Sequence, residues 1–339
     1  MAAGATGGAY AAEDDVSRKR LRKENGKIDI NEAVETAKRL IIQTRYEEAN
    51  RLVYDKMTDM IRNKVFGENS IELLPAYFVL ADANIHMGHS MGQPQRLKKA
   101  EEFLIAAYWN LLKYTSDEND KSDGKAGQED SLVTKEEIER YRAILNKTFG
   151  KLFLHQNSAA TKTNATQQAL DKLSHAIYLE SQFYGPESIY LCSSYFYMGE
   201  VFKKEGQVVN ARNFYQKIVQ IWRKFITEKD LGNSLMIEDY TYTAIDRYYY
   251  EEAQEHLRVI LNFFEIEYGT QDVQTAECEF TFALVLFKNE NREEALDHMA
   301  KAHMTFANAM GEFDRKTKEV ESIIKRIQMQ GGNVNNNHH

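Results

Sequence analysis

Apolar and polar positions recur along the chain with the period of an amphipathic α-helix. Four segments align on an alanine, and these alanines (Ala169, Ala211, Ala253 and Ala295) follow one another at intervals of 42 residues. An apolar residue stands four positions after each alanine, and a small or apolar residue stands seven positions after it. Residues at these spacings share one face of a helix. The pattern therefore predicts four repeated units, each with a helix that buries one face.

Each unit is expected to hold a second helix upstream of the alanine helix. The clearest example places small and apolar residues on one face: Tyr195, Met198, Gly199 and Phe202. Three of the alanine helices are followed by a glycine sixteen residues after the alanine: Gly185, Gly269 and Gly311. Glycine after an amphipathic run is typical of a helix C-terminus. Together these signals predict repeated helical hairpins.

Hairpins of this kind resemble tetratricopeptide (TPR) repeats, here of a 42-residue variety. The predicted fold class is all-α, a TPR solenoid of about six helical hairpins with the 42-residue type at the C-terminal end. We expect N-terminal hairpins over 28–114 and a C-terminal array over 133–327. Residues 1–27 are expected to be a disordered arm carrying basic and acidic clusters. The composition of residues 115–132 predicts a flexible acidic linker, and residues 328–339 are expected to be a disordered tail.

Composition narrows the classes of function. Hydrophobic residues make up 43% of the chain and only 3 residues are proline, which favours long helices around a sizeable core. The net charge of -8 argues against nucleic acid as a partner. No apolar stretch has the length of a signal peptide or a membrane span. We therefore expect an intracellular protein that does not bind a membrane.

The sequence predicts no catalytic site, no cofactor and no bound metal. It contains no glycine-rich phosphate loop and no HExxH motif. His86 and His89 lie three residues apart, but a loop follows at once, and a helical pair without further ligands rarely makes a metal site. Cys192 and Cys278 are too few for a disulfide framework. Each opens a predicted first helix, where a free cysteine usually packs as a small hydrophobic residue.

The repeat phase also predicts a partner-binding groove, because the first helices of TPR hairpins line the concave face of a solenoid. The residues placed there by the repeat phase are Phe78, Asp82, Lys147, Lys151, Phe196, Glu200, Lys203, Tyr242, Phe280 and Phe287. This mixture of aromatic and charged side chains suits an extended peptide or a partner helix. None of the first helices has the lysine and asparagine pair with which chaperone-binding TPR domains hold a terminal carboxylate.

Two blocks of sequence carry a narrower resemblance. The stretch NSIELLPAYFVLADANIHMG with the following AEEFLIAAYWNLLK, and the later YGPESIYLCSSYFYMGEVFKKEGQVVNARNFYQKIVQIW, resemble the MYND-zinc-finger-containing TPR proteins of motile cilia. The resemblance implies a non-catalytic scaffold in the axoneme of a cilium or flagellum, anchoring a single-headed inner dynein arm. The implied partners are another TPR protein and an inner-arm dynein heavy chain. Residues 1–30 contain no cysteine, so zinc binding is not carried over.

Other functions stay open from the sequence. Kinesin light chains also use 42-residue TPRs, so a cytoplasmic cargo or motor adaptor is the main alternative. That family carries a heptad coiled coil before its repeats, and residues 1–30 are too short and too polar for one. The basic residues of the N-terminal arm are expected to be solvated, or to lie on an acidic surface such as a tubulin tail. The remaining alternative is an enzyme with an unrecognised site.

Overall fold

The computed structural model describes residues 6–119, 132–156, 162–227 and 244–332. Within these ranges the regular structure consists of twelve α-helices and two short 3-10 helices, with no strand. Several pairs of helices that are adjacent in the chain pack against each other as hairpins. The all-α, TPR-like fold expected from the repeat pattern is therefore confirmed.

The chain divides into two compact units, one through Phe183 and the other from Tyr184. The sequence placed its division at the linker 115–132 instead. The difference arises because the helix that follows this linker packs on the two helices that precede it, and so it belongs to the first unit.

The described residues of the first unit form six helices, the last of which ends at the unit boundary. They are α1 (Thr6–Ile42), α2 (Tyr46–Arg62), α3 (Leu74–Ser90), α4 (Pro94–Asn119), α5 (Lys135–His155) and α6 (Lys162–Tyr184). A 3-10 turn, Ile71–Leu73, leads into α3. The core is built from the inner faces of α1 to α5. A capping box at Thr134 and Glu137 satisfies the first backbone N–H groups of α5.

Helix α1 corrects the expected N-terminal arm, because residues 6–27 are helical. The physical reason is tertiary packing that sequence composition does not reveal. Gly26 is buried against the side chains of Val65 and Phe66. The Lys27 ammonium pairs with the Glu137 carboxylate at 2.8 Å, which ties α1 to α5.

The expected linker (115–132) and the expected tail (328–339) are also helical in part. Helix α4 continues through Asn119, so the first residues of the expected linker are helical, and 120–131 lie outside the described residues. The expected tail starts within the last helix of the second unit, and 333–339 lie outside the described residues.

The second unit begins with the 3-10 turn Ile189–Leu191. Its α-helices are α7 (Cys192–Lys204), α8 (Val208–Phe225), α9 (Ala244–Tyr268), α10 (Val273–Lys288), α11 (Arg292–Met310) and α12 (Arg315–Gly332). Helices α7 with α8 and α10 with α11 form hairpins, and α9 packs on α10. Tyr242, which the repeat phase placed on a first helix, lies outside the described residues.

The repeat signals occupy the places that the pattern predicted. The four alanines lie in α6, α8, α9 and α11, and all four are buried. The three glycines that follow α6, α9 and α11 have φ values of 77°, 89° and 95°. Residues with a Cβ rarely adopt this left-handed conformation, so glycine ends these helices.

Glycines inside the first helices set the distance between paired helices. A Cβ atom added to Gly150 in α5 would lie 2.5 Å from Cγ of Leu173 in α6. A Cβ added to Gly199 in α7 would lie 2.5 Å from the Tyr215 ring in α8. The hairpins therefore close at positions where one helix carries no side chain.

We predict that Gly150→Ala destabilises the first unit. Alanine gains up to about 1 kcal/mol of helix propensity over glycine, but overpacking a close contact costs about 1–3 kcal/mol. Urea unfolding should show a lower midpoint than the native chain. Gly67→Ala is the matched control, because its added Cβ would meet nothing closer than 4.0 Å. A Gly150→Ala variant as stable as the control would contradict this account of hairpin closure.

Candidate protein-binding surfaces

Several charged residues predicted to line a groove pair with one another inside the first unit. The Lys151 ammonium of α5 lies 3.0 Å from an Asp82 carboxylate oxygen of α3. Lys147, one turn earlier on α5, lies 3.1 Å from a carboxylate oxygen of Glu180 on α6. Lys151 and Glu180 are buried. The structure thus brings Asp82 and Lys151 together as an ion pair between helices.

The electrostatic environment keeps Asp82 ionised. Burial by itself raises the pKa of a carboxyl group, but the Lys151 ammonium, with His86 and Lys147 nearby, outweighs that effect and lowers the pKa of Asp82. His86 lies 4.0 Å from the same carboxylate and stacks on Tyr46 of α2. One row of charged and aromatic contacts therefore connects α2, α3 and α5.

The aromatic residues predicted for the groove are internal. Phe78 is buried, with its ring centroid 6.0 Å from that of Tyr141. Phe196 is buried and stacks on His256 at 4.0 Å, and Phe280 has no exposed surface. The expectation that these three side chains line an open groove is wrong. The repeat phase identified first-helix faces correctly, but neighbouring helices cover those faces; α10, for example, packs on α8, α9 and α11.

The remaining groove residues differ in exposure. Glu200 is partly buried and accepts hydrogen bonds from the Tyr215 hydroxyl and from Lys203. Lys203 is exposed and Phe287 is partly exposed. Tyr242 lies outside the described residues. A partner-binding role for these residues stays a prediction.

The outer face of α4 carries exposed apolar residues that the sequence reading missed. The exposed fractions are 44% for Ile105, 46% for Tyr108, 60% for Trp109 and 42% for Leu112. We call these four residues the α4 stripe. The opposite face of α4 is also apolar and is buried in the core: Ala100, Leu104, Ala107 and Leu111. The signal was present in the sequence, because the stripe has its own i, i+3, i+4, i+7 spacing beside the core register.

A second surface feature lies between α1 and the end of α2. This α1–α2 groove encloses about 360 Å³. Its lining combines apolar and charged side chains, among them Arg18, Leu21, Arg22, Asp29, Met60 and Val65. Arg22 donates a hydrogen bond of 2.6 Å to the Asn63 carbonyl oxygen at the end of α2. Asp29 is paired with Lys56 at 2.8 Å. The basic cluster of the sequence thus borders an apolar groove.

The described residues were also compared with the requirements of a metal site, a membrane span and a reactive cysteine. In these ranges, no three His, Cys, Asp or Glu side chains gather in a way that could hold a metal ion. Within the described part of the chain, no helix has the length and apolar character needed to cross a membrane. Both cysteines are buried, as expected for packing residues. Burial, with smaller effects from Glu279 and Glu265, raises the pKa of Cys278 well above its usual value.

Comparison with curated proteins finds similarity to fungal proteins named Clustered mitochondria protein homolog. The chain is 22% identical over 228 residues to that of Ajellomyces capsulatus, which covers 67% of this chain and 18% of the relative. The Aspergillus niger protein is 22% identical over 233 residues, covering 68% and 18%. The Coccidioides immitis protein is 23% identical over 229 residues, covering 67% and 17%. No family model matches the chain.

These matches correct the function and location implied by the ciliary resemblance. The name shared by the relatives refers to mitochondria, and it gives no support to an axonemal scaffold, to a cilium or flagellum, or to an inner dynein arm. The expectation of a ciliary protein is therefore wrong. The resemblance to the MYND-containing family itself, and the partners it implied, stay predictions that none of these matches tests. The chain spans less than a fifth of the length of the relatives.

We predict that Asp82→Asn destabilises the protein at neutral pH and flattens its acid unfolding profile. The change removes the carboxylate that faces the buried Lys151 ammonium, and breaking a buried pair costs about 3 kcal/mol or more. Because the folded-state pKa of Asp82 is lowered, its stabilising effect is present above the unfolded pKa of roughly 4 and is lost as pH falls through the folded pKa. Urea unfolding between pH 7 and pH 3 measures both effects.

The control for this experiment is Asp59→Asn. Asp59 forms an exposed pair with Arg62 at 3.5 Å on α2, and such pairs contribute little to stability. Equal losses in the two variants would show that the Asp82–Lys151 pair is no more important than a surface pair.

Proposed function

We propose that this chain is a non-catalytic, TPR-like adaptor that works in the cytoplasm in association with mitochondria and binds protein partners there. The observation that carries the proposal is the similarity to Clustered mitochondria protein homologs over two thirds of this chain. The proposal takes up the adaptor alternative that the 42-residue repeats left open.

The extent of the match supports this proposal. A match of 228 residues is longer than either compact unit, so it includes helical hairpins of both. Stacked hairpins offer extended surfaces for protein recognition, and that is the principal use of such arrays. The similar part of the relatives is less than a fifth of each of them, so the shared property is best sought in the helical array itself.

The α1–α2 groove is the surface that we assign to partner binding. Leu21, Met60 and Val65 form its apolar part, and Arg18 and Arg22 add positive charge. An acidic peptide segment with an apolar side chain matches both features, since the apolar side chain enters the groove while the carboxylates face the arginines. The ion pair of Asp29 with Lys56 reduces the negative charge that such a segment meets.

The location of the protein tests the adaptor proposal. A fluorescent tag on the endogenous chain should report a cytoplasmic protein that copurifies with mitochondria. Cells that lack the protein should show a changed distribution of mitochondria, measured by fluorescence microscopy and reversed by re-expression. A tagged protein found in another compartment, with mitochondria unaffected by its loss, would contradict the proposal.

The α1–α2 groove has a direct binding test on the purified chain. A synthetic peptide of glutamate and leucine residues should bind by fluorescence anisotropy, and a peptide with glutamine in place of glutamate should bind more weakly. Leu21→Asp should weaken binding by about tenfold, which corresponds to about 1.4 kcal/mol. Ile28→Asp is the matched control, because Leu21 and Ile28 lie on the same helix with exposed fractions of 57% and 55%. Equal affinities in the two variants would exclude the groove as the binding site.

A further inference from the structure

The two walls of the α1–α2 groove meet at a glycine. Gly26 of α1 and Val65, in the turn that follows α2, both line the groove. A Cβ atom added to Gly26 would lie 2.7 Å from Cγ1 of Val65 and 3.1 Å from Cε2 of Phe66. Gly26 and Phe66 are buried, whereas Val65 is partly exposed. The contact of Gly26 with Val65 therefore forms the bottom of the groove.

Two hydrogen bonds hold α1 in place on either side of Gly26. One turn before it, the Arg22 guanidinium donates to the Asn63 carbonyl oxygen at 2.6 Å, which ties α1 to the end of α2. Directly after it, the Lys27 ammonium donates to the Leu132 carbonyl oxygen at 2.7 Å, which ties α1 to the segment that leads into α5. Both contacts resist displacement of α1, so the two walls of the groove keep their spacing.

A side chain at position 26 has to be accommodated within the groove itself. Carbon atoms that are not bonded to each other lie about 3.5–4.0 Å apart at their optimum, so a neighbour of the added Cβ must move. The Phe66 ring belongs to the packed core of the first unit, where little free space exists. Val65 borders the groove, so its side chain is the one that moves, and it moves into the groove.

We propose that Gly26 is the specificity-determining residue of the α1–α2 groove, which selects acidic segments that carry a leucine-sized rather than an alanine-sized side chain. This proposal rests on the partner-binding function assigned to the groove above. The missing side chain leaves space beside Leu21, Met60 and Val65. A leucine fills this space and an alanine leaves it empty, and affinity rises with the apolar area that binding buries.

Two peptides measure this selection on the purified full chain. They are synthetic, rich in glutamate, and identical except for a single leucine or alanine, and their binding is followed by fluorescence anisotropy. The native chain should bind the leucine peptide about tenfold more tightly. Gly26→Ala should remove most of this preference. Gly67→Ala is the matched control, because it lies two residues after Val65 and its added Cβ would meet nothing closer than 4.0 Å. The control should keep the native preference.

A compensating variant separates specificity from stability. Val65→Ala removes the methyl group that the new Cβ would meet, so the double variant Gly26→Ala with Val65→Ala should regain the preference for leucine. A loss caused by general destabilisation would instead grow, because Val65→Ala also removes apolar contacts. Circular dichroism and urea unfolding of each variant accompany the binding measurements.

The possible outcomes distinguish this proposal from the function on which it rests. A Gly26→Ala variant with the native preference, or a double variant that does not recover, would overturn the role of Gly26 and leave the groove as the binding site. A native chain that binds neither peptide would overturn both.

Discussion

The helices of each hairpin approach each other so closely that small residues are required where they meet. At Gly150 and Gly199 the backbone of one helix meets a side chain of its hairpin partner with no room for a Cβ atom. The buried alanines of the second helices extend the same principle. Since interiors pack at nearly crystalline density, these small residues determine how the other side chains of each hairpin meet their neighbours.

This tight packing explains why the predicted groove residues became internal contacts. When hairpins stack closely, a first helix is covered by the helices beside it, and its aromatic residues join the core. The charged residues on the same faces then need partners, because an unpaired buried charge costs several kcal/mol. Asp82 with Lys151 and Glu180 with Lys147 meet that need in the first unit. The apolar side chains that stay exposed in the first unit lie on outer surfaces, such as the α4 stripe and the α1–α2 groove.

The sequence predicted features that depend on local periodicity. The buried alanines, the glycines that end helices and the all-α class all follow from spacing within one or two helices. The burial of Phe280 did not follow, because it depends on which helices cover α10. The packing of α1 at Gly26 and Lys27 did not follow either, because it depends on contacts with segments that are distant in the chain. The α4 stripe was readable in the sequence, but its exposure requires knowing which of two apolar faces enters the core.

The two enclosed thiols give the protein a built-in reporter of local opening. The chain has only two cysteines, both are buried, and both belong to the second unit. A thiol reagent can react with them only when the surrounding helices separate, so its rate under native conditions measures the opening of that unit. The first unit contributes nothing to this signal. The rate of thiol modification therefore reports opening of the second unit without a contribution from the first.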